Sequence, residues 1–293
     1  MSNVSDGRDV PPLVSADWLA RRAGAPGLLV LDVRSAVDGG GRAAFEAAHI
    51  PGAIHTDYAK DGWRAVKGMA TGLLPDAAGL RALFARFGLL PSDHVIVVSA
   101  GTSAGDFCAA ARVYWTLKIA GHSKMSILDG GMLAWQADLA HPVEVGPGAP
   151  AKAAADYPVT LVPNLRSDSD AVARAIENDD AVLLDARAAA FFEGISKSPQ
   201  ALRAGRLPGA RHLDNVLVFD DAAKRLKPLP ELEALFAKVT GKPVVSYCNT
   251  GHQAAITWFA LSEILRQPAT LYDGSMSEWT EEPVRPVATG PEE

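Results

Sequence analysis

Cys248 lies where a cysteine can act as a nucleophile. It follows the apolar run 243–247 and precedes a short polar loop that leads into a second apolar stretch from Ala254. A cysteine between a strand end and a helix start is surrounded by unpaired backbone N–H groups and by the positive end of the helix dipole. Both favour the thiolate, which is the nucleophilic form. The loop therefore predicts covalent catalysis by Cys248.

The residues that follow Cys248 are candidates to bind an anionic substrate. Glycine and small polar residues let the backbone curl into a concave nest whose N–H groups point inward. For His252 two roles stay open, tuning the cysteine or lining the pocket. The predicted binding residues in this loop are Asn249, Thr250, Gly251, His252, Gln253 and Ala254.

The other cysteine, Cys108, has a different setting. It falls inside a predicted helix over 107–120, where a cysteine usually serves as a small buried hydrophobic residue. The two cysteines are far apart in sequence and form no C-x-x-C motif, so no metal or redox site of that kind is available. We predict no cofactor and no metal.

Three sequence blocks occur twice, in the same order. LLVLDVR at 28–34 matches VLLDAR at 182–187, and HIPGAIH at 49–55 matches RLPGARH at 206–212. LDGGMLAW at 128–135 matches YDGSMSEW at 272–279. Ordered repetition of this kind indicates two copies of one fold. We predict an N-terminal domain at 10–142, a linker at 143–158 that is rich in proline, and a C-terminal domain at 159–289.

Short apolar runs alternate with helical stretches in both copies, which predicts an α/β fold with a parallel sheet covered by helices on both faces. The predicted strands are 28–33, 95–99, 125–128, 181–185, 243–247 and 270–272, and the predicted helices are 80–87, 107–120, 231–239 and 251–265. Ligands of such sheets bind at the carboxyl ends of the strands. Counting back from Asp129 and Asp273 places Ala100 near the position of Cys248, so the first copy has no nucleophile there.

Composition excludes several classes of protein. The formal net charge is −6, without the basic excess typical of nucleic-acid binding. No apolar run is long enough to span a membrane, and the N-terminus lacks the pattern of a signal peptide. We therefore predict a cytoplasmic protein with neither nucleic acid nor membrane as its partner.

These motifs together resemble the tandem-domain rhodanese family. The resemblance rests on the strand ending LDxR, the turn PGA, the single cysteine that opens a strand-to-helix loop, and the block YDGSxxEW, and it covers nearly the whole chain. The loop Cys-Asn-Thr-Gly-His-Gln is similar to a bacterial variant of this family. The resemblance implies an inactive N-terminal copy and a sulfurtransferase of the thiosulfate or 3-mercaptopyruvate type. Its Cys248 would carry sulfur as a persulfide from a small anionic donor to a thiol, cyanide or protein acceptor.

Several residues match or depart from the family pattern. Arg187 is a candidate to bind substrate and Asp185 to bind it or support the site, although a D-x-R pair at a strand end is more often a buried ion pair. Phe191 stands where active members have a second arginine that binds the donor. Arg206 replaces a histidine and, like Asp57, is a candidate to support the site. Thr250 replaces the lysine of thiosulfate enzymes, so we expect 3-mercaptopyruvate or another small donor to react at least as well as thiosulfate.

Two other functions were weighed against catalysis of sulfur transfer. A non-catalytic rhodanese module could bind or relay sulfur for a protein partner. A cysteine phosphatase has a similar thiolate loop but requires an arginine six positions after the cysteine, where this chain has Ala254. Trp63, in a loop without a counterpart in the second copy, is either a lid over the active site or an aromatic residue packed on its own domain.

Overall fold

The computed structural model describes residues 10–37, 40–150, 156–239 and 241–292. The described residues of the first copy form seven strands and five helices. The strands are β1 Leu13–Val14, β2 Leu28–Asp32, β3 Ile54–His55, β4 Ala65–Lys67, β5 Ala70–Leu73, β6 His94–Val98 and β7 Met125–Leu128. The helices are α1 Ala16–Ala20, α2 Gly41–Ala47, α3 Ala77–Ala85, α4 Ala104–Ile119 and α5 Gly131–Gln136.

The second copy repeats this arrangement. Its strands are β8 Val182–Asp185, β9 Arg211–His212, β10 Phe219–Asp220, β11 Arg225–Leu226, β12 Val244–Tyr247 and β13 Ala269–Leu271. Its helices are α6 Ser169–Asn178, α7 Ala189–Phe192, α8 Leu229–Phe236, α9 Ala254–Phe259 and α10 Ser275–Trp279. Short 3₁₀ turns occur at Pro163–Leu165 and Asn215–Val218, and α9 continues as a π-helical turn over Ala260–Ile264.

Each copy contains one parallel sheet, which confirms the predicted fold class. The first sheet has the order β1-β7-β6-β2-β3 and the second has the order β13-β12-β8-β9. The central strands are almost wholly buried because helices cover both faces of each sheet. Two antiparallel hairpins, β4-β5 and β10-β11, lie outside the sheets.

The two copies share part of their hydrophobic core. One cluster of buried side chains includes Phe107 and Tyr114 of α4 together with Trp258 and Phe259 of α9. The edge of the Phe259 ring meets both α4 rings, with centroids 5.7 and 5.1 Å apart. This packing fixes the position of one domain against the other, because buried aromatic side chains leave no room for the helices to slide.

The chain between the two copies packs against the first copy on both sides of a gap in the described residues. The backbone of Glu144 pairs with that of His49, and the Ala149 amide donates to the Ala53 carbonyl. Beyond the gap, the Val162 amide donates to Ile119 at the end of α4. Residues 151–155 of the predicted linker lie outside the described residues. In the part of the chain that the structure describes, no helix has both the length and the apolar character needed to cross a bilayer.

Candidate active site

Cys248 is the first residue after β12, at the carboxyl edge of the second sheet, and α9 begins six residues later. The side chain is 1% exposed, yet it borders a cavity of about 420 Å³. Strand β12 is central in its sheet, between β13 and β8, so its end is held on both sides. Cys248 therefore lies at the end of a central strand, where the strand-to-helix pattern placed it, and it also borders an open volume.

Both domains contribute walls to this cavity. From the C-terminal domain come most of the cysteine loop and two residues of the segment after α7: Cys248, Asn249, Thr250, His252, Gln253, Ser198 and Gln200. From the N-terminal domain come Val37, Tyr58, Ala59, Arg64 and Gly105. The N-terminal copy thus completes the site even though the cysteine belongs to the other copy. Tyr58, Arg64 and Gly105 line the cavity although no sequence pattern predicted them there.

Ser275 holds the cysteine loop in its curled shape. Its hydroxyl accepts hydrogen bonds from the Cys248 amide at 3.0 Å and from the Gly251 amide at 3.1 Å, and donates to the Tyr272 carbonyl at 2.7 Å. The residue is fully buried, with a φ of 50° that disfavours residues with a side chain. Ser275 is not among the residues predicted for the site from the sequence. The available signal was the pair DGS in the second copy against DGG in the first.

The other amides of the loop are available to a ligand. None of the described residues accepts a hydrogen bond from the N–H groups of Asn249, Thr250, His252 or Gln253. These four residues are half-buried, and successive backbone N–H groups without an acceptor beside a cavity form a concavity that can bind an anion. Of the amides predicted to form the nest, that of Gly251 instead bonds Ser275. Ala254 is the first residue of α9.

Arg187 contacts the cysteine loop through the side chain of Asn249 and does not line the cavity. Its guanidinium donates to both carboxylate oxygens of Asp185, to the Gly205 carbonyl at 2.9 Å and to the Asn249 side-chain oxygen at 3.3 Å. Arg187 is 2% exposed and is not among the described residues that line the cavity. The pair Asp185–Arg187 therefore orients Asn249, and burial with good hydrogen bonds keeps that arrangement fixed.

The N-terminal domain also contacts the cysteine loop through Arg112, which forms hydrogen bonds to it. This fully buried residue donates to the Gly251 carbonyl at 3.2 Å and to the Gly72 carbonyl at 2.7 Å. A Cβ on Gly72 would overlap the carbonyl oxygen of Thr250, so only glycine permits the close approach of β5. Asp273, which follows β13, accepts from the Leu74 amide at 2.6 Å. These contacts make the loop part of the interface between the domains.

His252 faces the N-terminal domain. Its Nδ1 lies 3.2 Å from the Tyr58 hydroxyl, and the two rings are 5.4 Å apart. Burial, with the positive charges of Arg64 and Arg112, lowers the pKa of His252 to about 3. The imidazole is therefore neutral near pH 7. Burial also raises the pKa of Tyr58, which keeps its hydroxyl protonated. The pair adds polar contacts but no charge to the cavity wall.

The equivalent of Cys248 in the first copy is Ser99, which corrects the count that placed Ala100 there. Asp32 pairs with Val98 as Asp185 pairs with Tyr247, so the next residue in each copy is Ser99 or Cys248. The Met132 amide donates to the Ser99 carbonyl just as the Met276 amide donates to that of Cys248. The miscount arose because the two connecting segments differ in length. The prediction that this copy has no nucleophile rested on Ala100, and the residue at the equivalent position is a serine rather than a cysteine.

The nest of the first copy is filled by its own carboxylate. Asp106, in the first turn of α4, accepts hydrogen bonds from the amides of Ala100 at 2.8 Å, Gly101, and Thr102 at 3.2 Å. Burial raises the pKa of Asp106 to about 6, against the lowering effect of these amides. The same strand-to-helix turn thus binds an anionic group in one copy and presents free amides in the other.

Four residues singled out from the sequence lie away from the cavity walls. Asp57 accepts from the Ala59 amide and pairs with Lys60, which stabilises a turn. Arg206 donates to the carbonyls of Phe192, Gly290 and Pro291 and holds the C-terminal segment. Phe191 lies in the short helix α7. Trp63 is not a lid, because it is fully buried against Phe87 and donates to Thr56.

Cys108 is fully buried, as predicted. It lies on α4 at the boundary between the domains, with its sulfur 3.7 Å from the Gln253 carbonyl and 3.9 Å from the Asn215 side-chain oxygen. Elsewhere, Asp17, Asp138 and His141 bring possible metal ligands within 4.8 Å of one another. None of these three is among the described residues of the Cys248 cavity.

A model of the rhodanese-like domain matches the chain twice, at residues 15–138 and 168–282. A thiosulfate sulfurtransferase of Corynebacterium glutamicum is 31% identical, over 95% of this chain and 90% of that protein. A probable 3-mercaptopyruvate sulfurtransferase of Pseudomonas aeruginosa is 34% identical, over 95% of this chain and 98% of that protein.

Solved structures show a similar fold. YnjE superposes with a TM-score of 0.82 at 24% identity, over 96% of this chain and 69% of that chain. The anaerobic ergothioneine biosynthesis enzyme of Chlorobium limicola superposes with a TM-score of 0.80 at 20% identity, over 96% of this chain and 71% of that chain. At these identities the two structures support the two-domain architecture alone.

Proposed function

The chain belongs to the tandem-domain rhodanese family of sulfurtransferases, and from that premise we propose that Cys248 transfers sulfane sulfur through a persulfide. The observation that carries the proposal is the position of Cys248 beside four amides without acceptors, at the wall of a cavity between the domains. Such amides stabilise an anion at the cysteine sulfur in both states of the cycle, as thiolate and as persulfide.

In the first step, the Cys248 thiolate attacks the outer sulfur of the donor. With thiosulfate the S–S bond breaks and sulfite leaves. With 3-mercaptopyruvate the C–S bond breaks, pyruvate leaves as its enolate, and the proton that the donor's thiol gives up ends on the methyl carbon of pyruvate. In both cases the bond that forms is the Cys248 S–S bond, and the charge moves to the outer sulfur. Splitting the transfer into two displacements is nucleophilic catalysis.

In the second step, a nucleophilic acceptor attacks the outer sulfur of the persulfide. Cyanide becomes thiocyanate and a thiolate becomes a persulfide, and each regenerates the Cys248 thiolate. The loop stays fixed through both steps because Ser275, Arg187 and Arg112 hold its backbone and the Asn249 side chain. Amides that are already oriented need no reorganisation when charge shifts between the two sulfur atoms.

The test measures sulfur uptake directly. The purified protein is incubated with thiosulfate or with 3-mercaptopyruvate, and its intact mass is recorded before and after addition of cyanide. We expect a gain of one sulfur atom that is lost with cyanide, and no gain in Cys248→Ser. A Cys108→Ser variant is the matched control and should behave as the unaltered protein. Absence of uptake from both donors would indicate a module without this catalysis.

A further inference from the structure

Arg64 is the one basic side chain with a charge at neutral pH among the described residues that line the Cys248 cavity, and none of those residues is acidic. It comes from the N-terminal domain, just before β4. The C-terminal domain has Phe191 at the position of the second donor-binding arginine. The cavity therefore has a single positive charge on its wall, and the opposite domain supplies it.

The guanidinium of Arg64 has capacity left for a ligand. Its Nε is buried and has no hydrogen-bond partner, and among the described residues no carboxylate lies within ion-pair distance. Near the same loop, Arg187 donates to carboxylate oxygens of Asp185, and Arg112 donates to carbonyl oxygens through its terminal nitrogens although its Nε also lacks a partner. A buried donor without an acceptor is costly, and such a group in a cavity wall indicates where a ligand atom binds.

The position of Arg64 is fixed from both sides. The preceding Trp63 is buried, with its indole N–H donating to the Thr56 hydroxyl at 2.8 Å and its ring stacked on Phe87. The guanidinium carbon lies 5.8 Å from the centre of the Tyr58 ring, within the range of a cation–π contact. The anchored backbone and the contact of the guanidinium with the Tyr58 ring restrict the Arg64 side chain before a ligand binds, so that less conformational entropy is lost on binding.

We propose that Arg64 binds the carboxylate of a monoanionic sulfur donor and so orients that donor for attack by Cys248. The planar guanidinium presents paired N–H donors that match a carboxylate, and the free amides of the loop remain for the sulfur. One positive side chain suits one carboxylate better than the double charge of thiosulfate, since His252 is neutral. This inference rests on the proposed function and names its donor class.

The decisive experiment compares two alkylating agents that differ in charge. Iodoacetate carries a carboxylate and iodoacetamide does not, and each reacts as the Cys248 thiolate displaces iodide. The ratio of their rate constants, read from intact mass in a Cys108→Ser background, cancels any change in the thiolate fraction. We expect Arg64→Met to lower the iodoacetate to iodoacetamide ratio by about tenfold, the effect of one charge-assisted hydrogen bond.

Two further variants separate charge from structure. Arg64→Lys keeps the charge without the planar fork and should lower the ratio by only about threefold. Arg22→Met removes an exposed cation 4.2 Å above the Trp18 ring, outside the cavity walls, and should leave the ratio unchanged. Arg64 also borders a second cavity of about 580 Å³, so a methionine there fits without overpacking.

Donor kinetics complete the test. Arg64→Met should raise KM for 3-mercaptopyruvate about tenfold with a smaller change in kcat, because a binding contact is lost rather than the nucleophile. An unchanged alkylation ratio in Arg64→Met would overturn the inference. Failure of the unaltered protein to take up sulfur would instead contradict the proposed function alone, because alkylation does not depend on sulfur transfer.

Discussion

Replacing Ser275 by alanine tests whether one hydroxyl shapes the active loop. The change removes the acceptor of two buried amides, those of Cys248 and Gly251, and the donor to the Tyr272 carbonyl. Leaving a buried N–H without a partner costs about 1–3 kcal/mol. For two amides we expect Ser275→Ala to lower the free energy of unfolding by about 2–6 kcal/mol, a large part of the stability of a typical domain.

Ser277 provides a matched control two residues away. It is also fully buried, and its hydroxyl donates to the Gly274 carbonyl at 2.7 Å, just as that of Ser275 donates to a carbonyl three residues earlier. No described backbone N–H donates to it. Ser277→Ala therefore removes the shared hydrogen bond alone and should cost about 1 kcal/mol.

The assay is urea unfolding of both variants, followed by the rate at which iodoacetamide modifies Cys248. We expect Ser275→Ala to be less stable than Ser277→Ala by about 2 kcal/mol, because two buried amides lose their acceptor and each such loss costs at least about 1 kcal/mol. We also expect its alkylation rate to change while that of Ser277→Ala does not. Equal stability and equal alkylation in the two variants would refute the role given to the Ser275 hydroxyl.

Three further outcomes follow from the contacts around the loop. Gly72→Ala should lower stability by about 1–3 kcal/mol and reduce sulfur uptake, because its Cβ meets the Thr250 carbonyl; Gly79→Ala, in α3, should be tolerated, and similar losses in both would contradict the steric argument. Because the pKa of His252 is lowered to about 3 in the folded protein, the histidine of the unfolded chain takes up a proton at a higher pH, as the pH falls below 6.5. Between pH 7 and pH 5 the free energy of unfolding of the unaltered protein should therefore fall by about 2 kcal/mol more than that of His252→Asn. An equal change in the two proteins would contradict the lowered pKa. Burial raises the pKa of Asp106 to about 6, so its contribution to stability is present below pH 4 and is lost as pH rises to 6; relative to Asp106→Asn, the unaltered protein should lose stability over that range, and a constant difference would refute the assignment.

Local sequence was sufficient to predict the strand-end position of Cys248 and the repeated sheets. The surroundings of a cysteine between an apolar strand and an apolar helix can be predicted from the sequence, because the free amides and the helix terminus belong to the same short segment. The predicted strands 125–128 and 181–185 agree with the observed ones within one residue. Buried parallel strands form short apolar runs that are bounded by turn-forming residues, which makes them visible in the sequence.

The partners of that segment were decided by tertiary structure. Ser275 reaches Cys248 from the turn after β13, and Arg64 comes from the other domain, so no spacing along the chain encodes either contact. Arg206 illustrates the converse, since its pattern indicated a role in the site while its guanidinium binds carbonyls of the C-terminal segment.

Sequence by itself thus determined that Cys248 would meet a curled loop at the end of a buried strand, because hydrogen bonding and hydrophobic burial act over neighbouring residues. Only the packed structure decided which charge lines the cavity and which hydroxyl holds the loop. The physical reason for the charge is that two domains sharing one core bring Arg64 to a loop of the other domain, and that contact depends on how the helices α4 and α9 pack. Ser275 belongs to the same domain as Cys248, and the parallel pairing of β12 with β13 brings the turn after β13 to the loop.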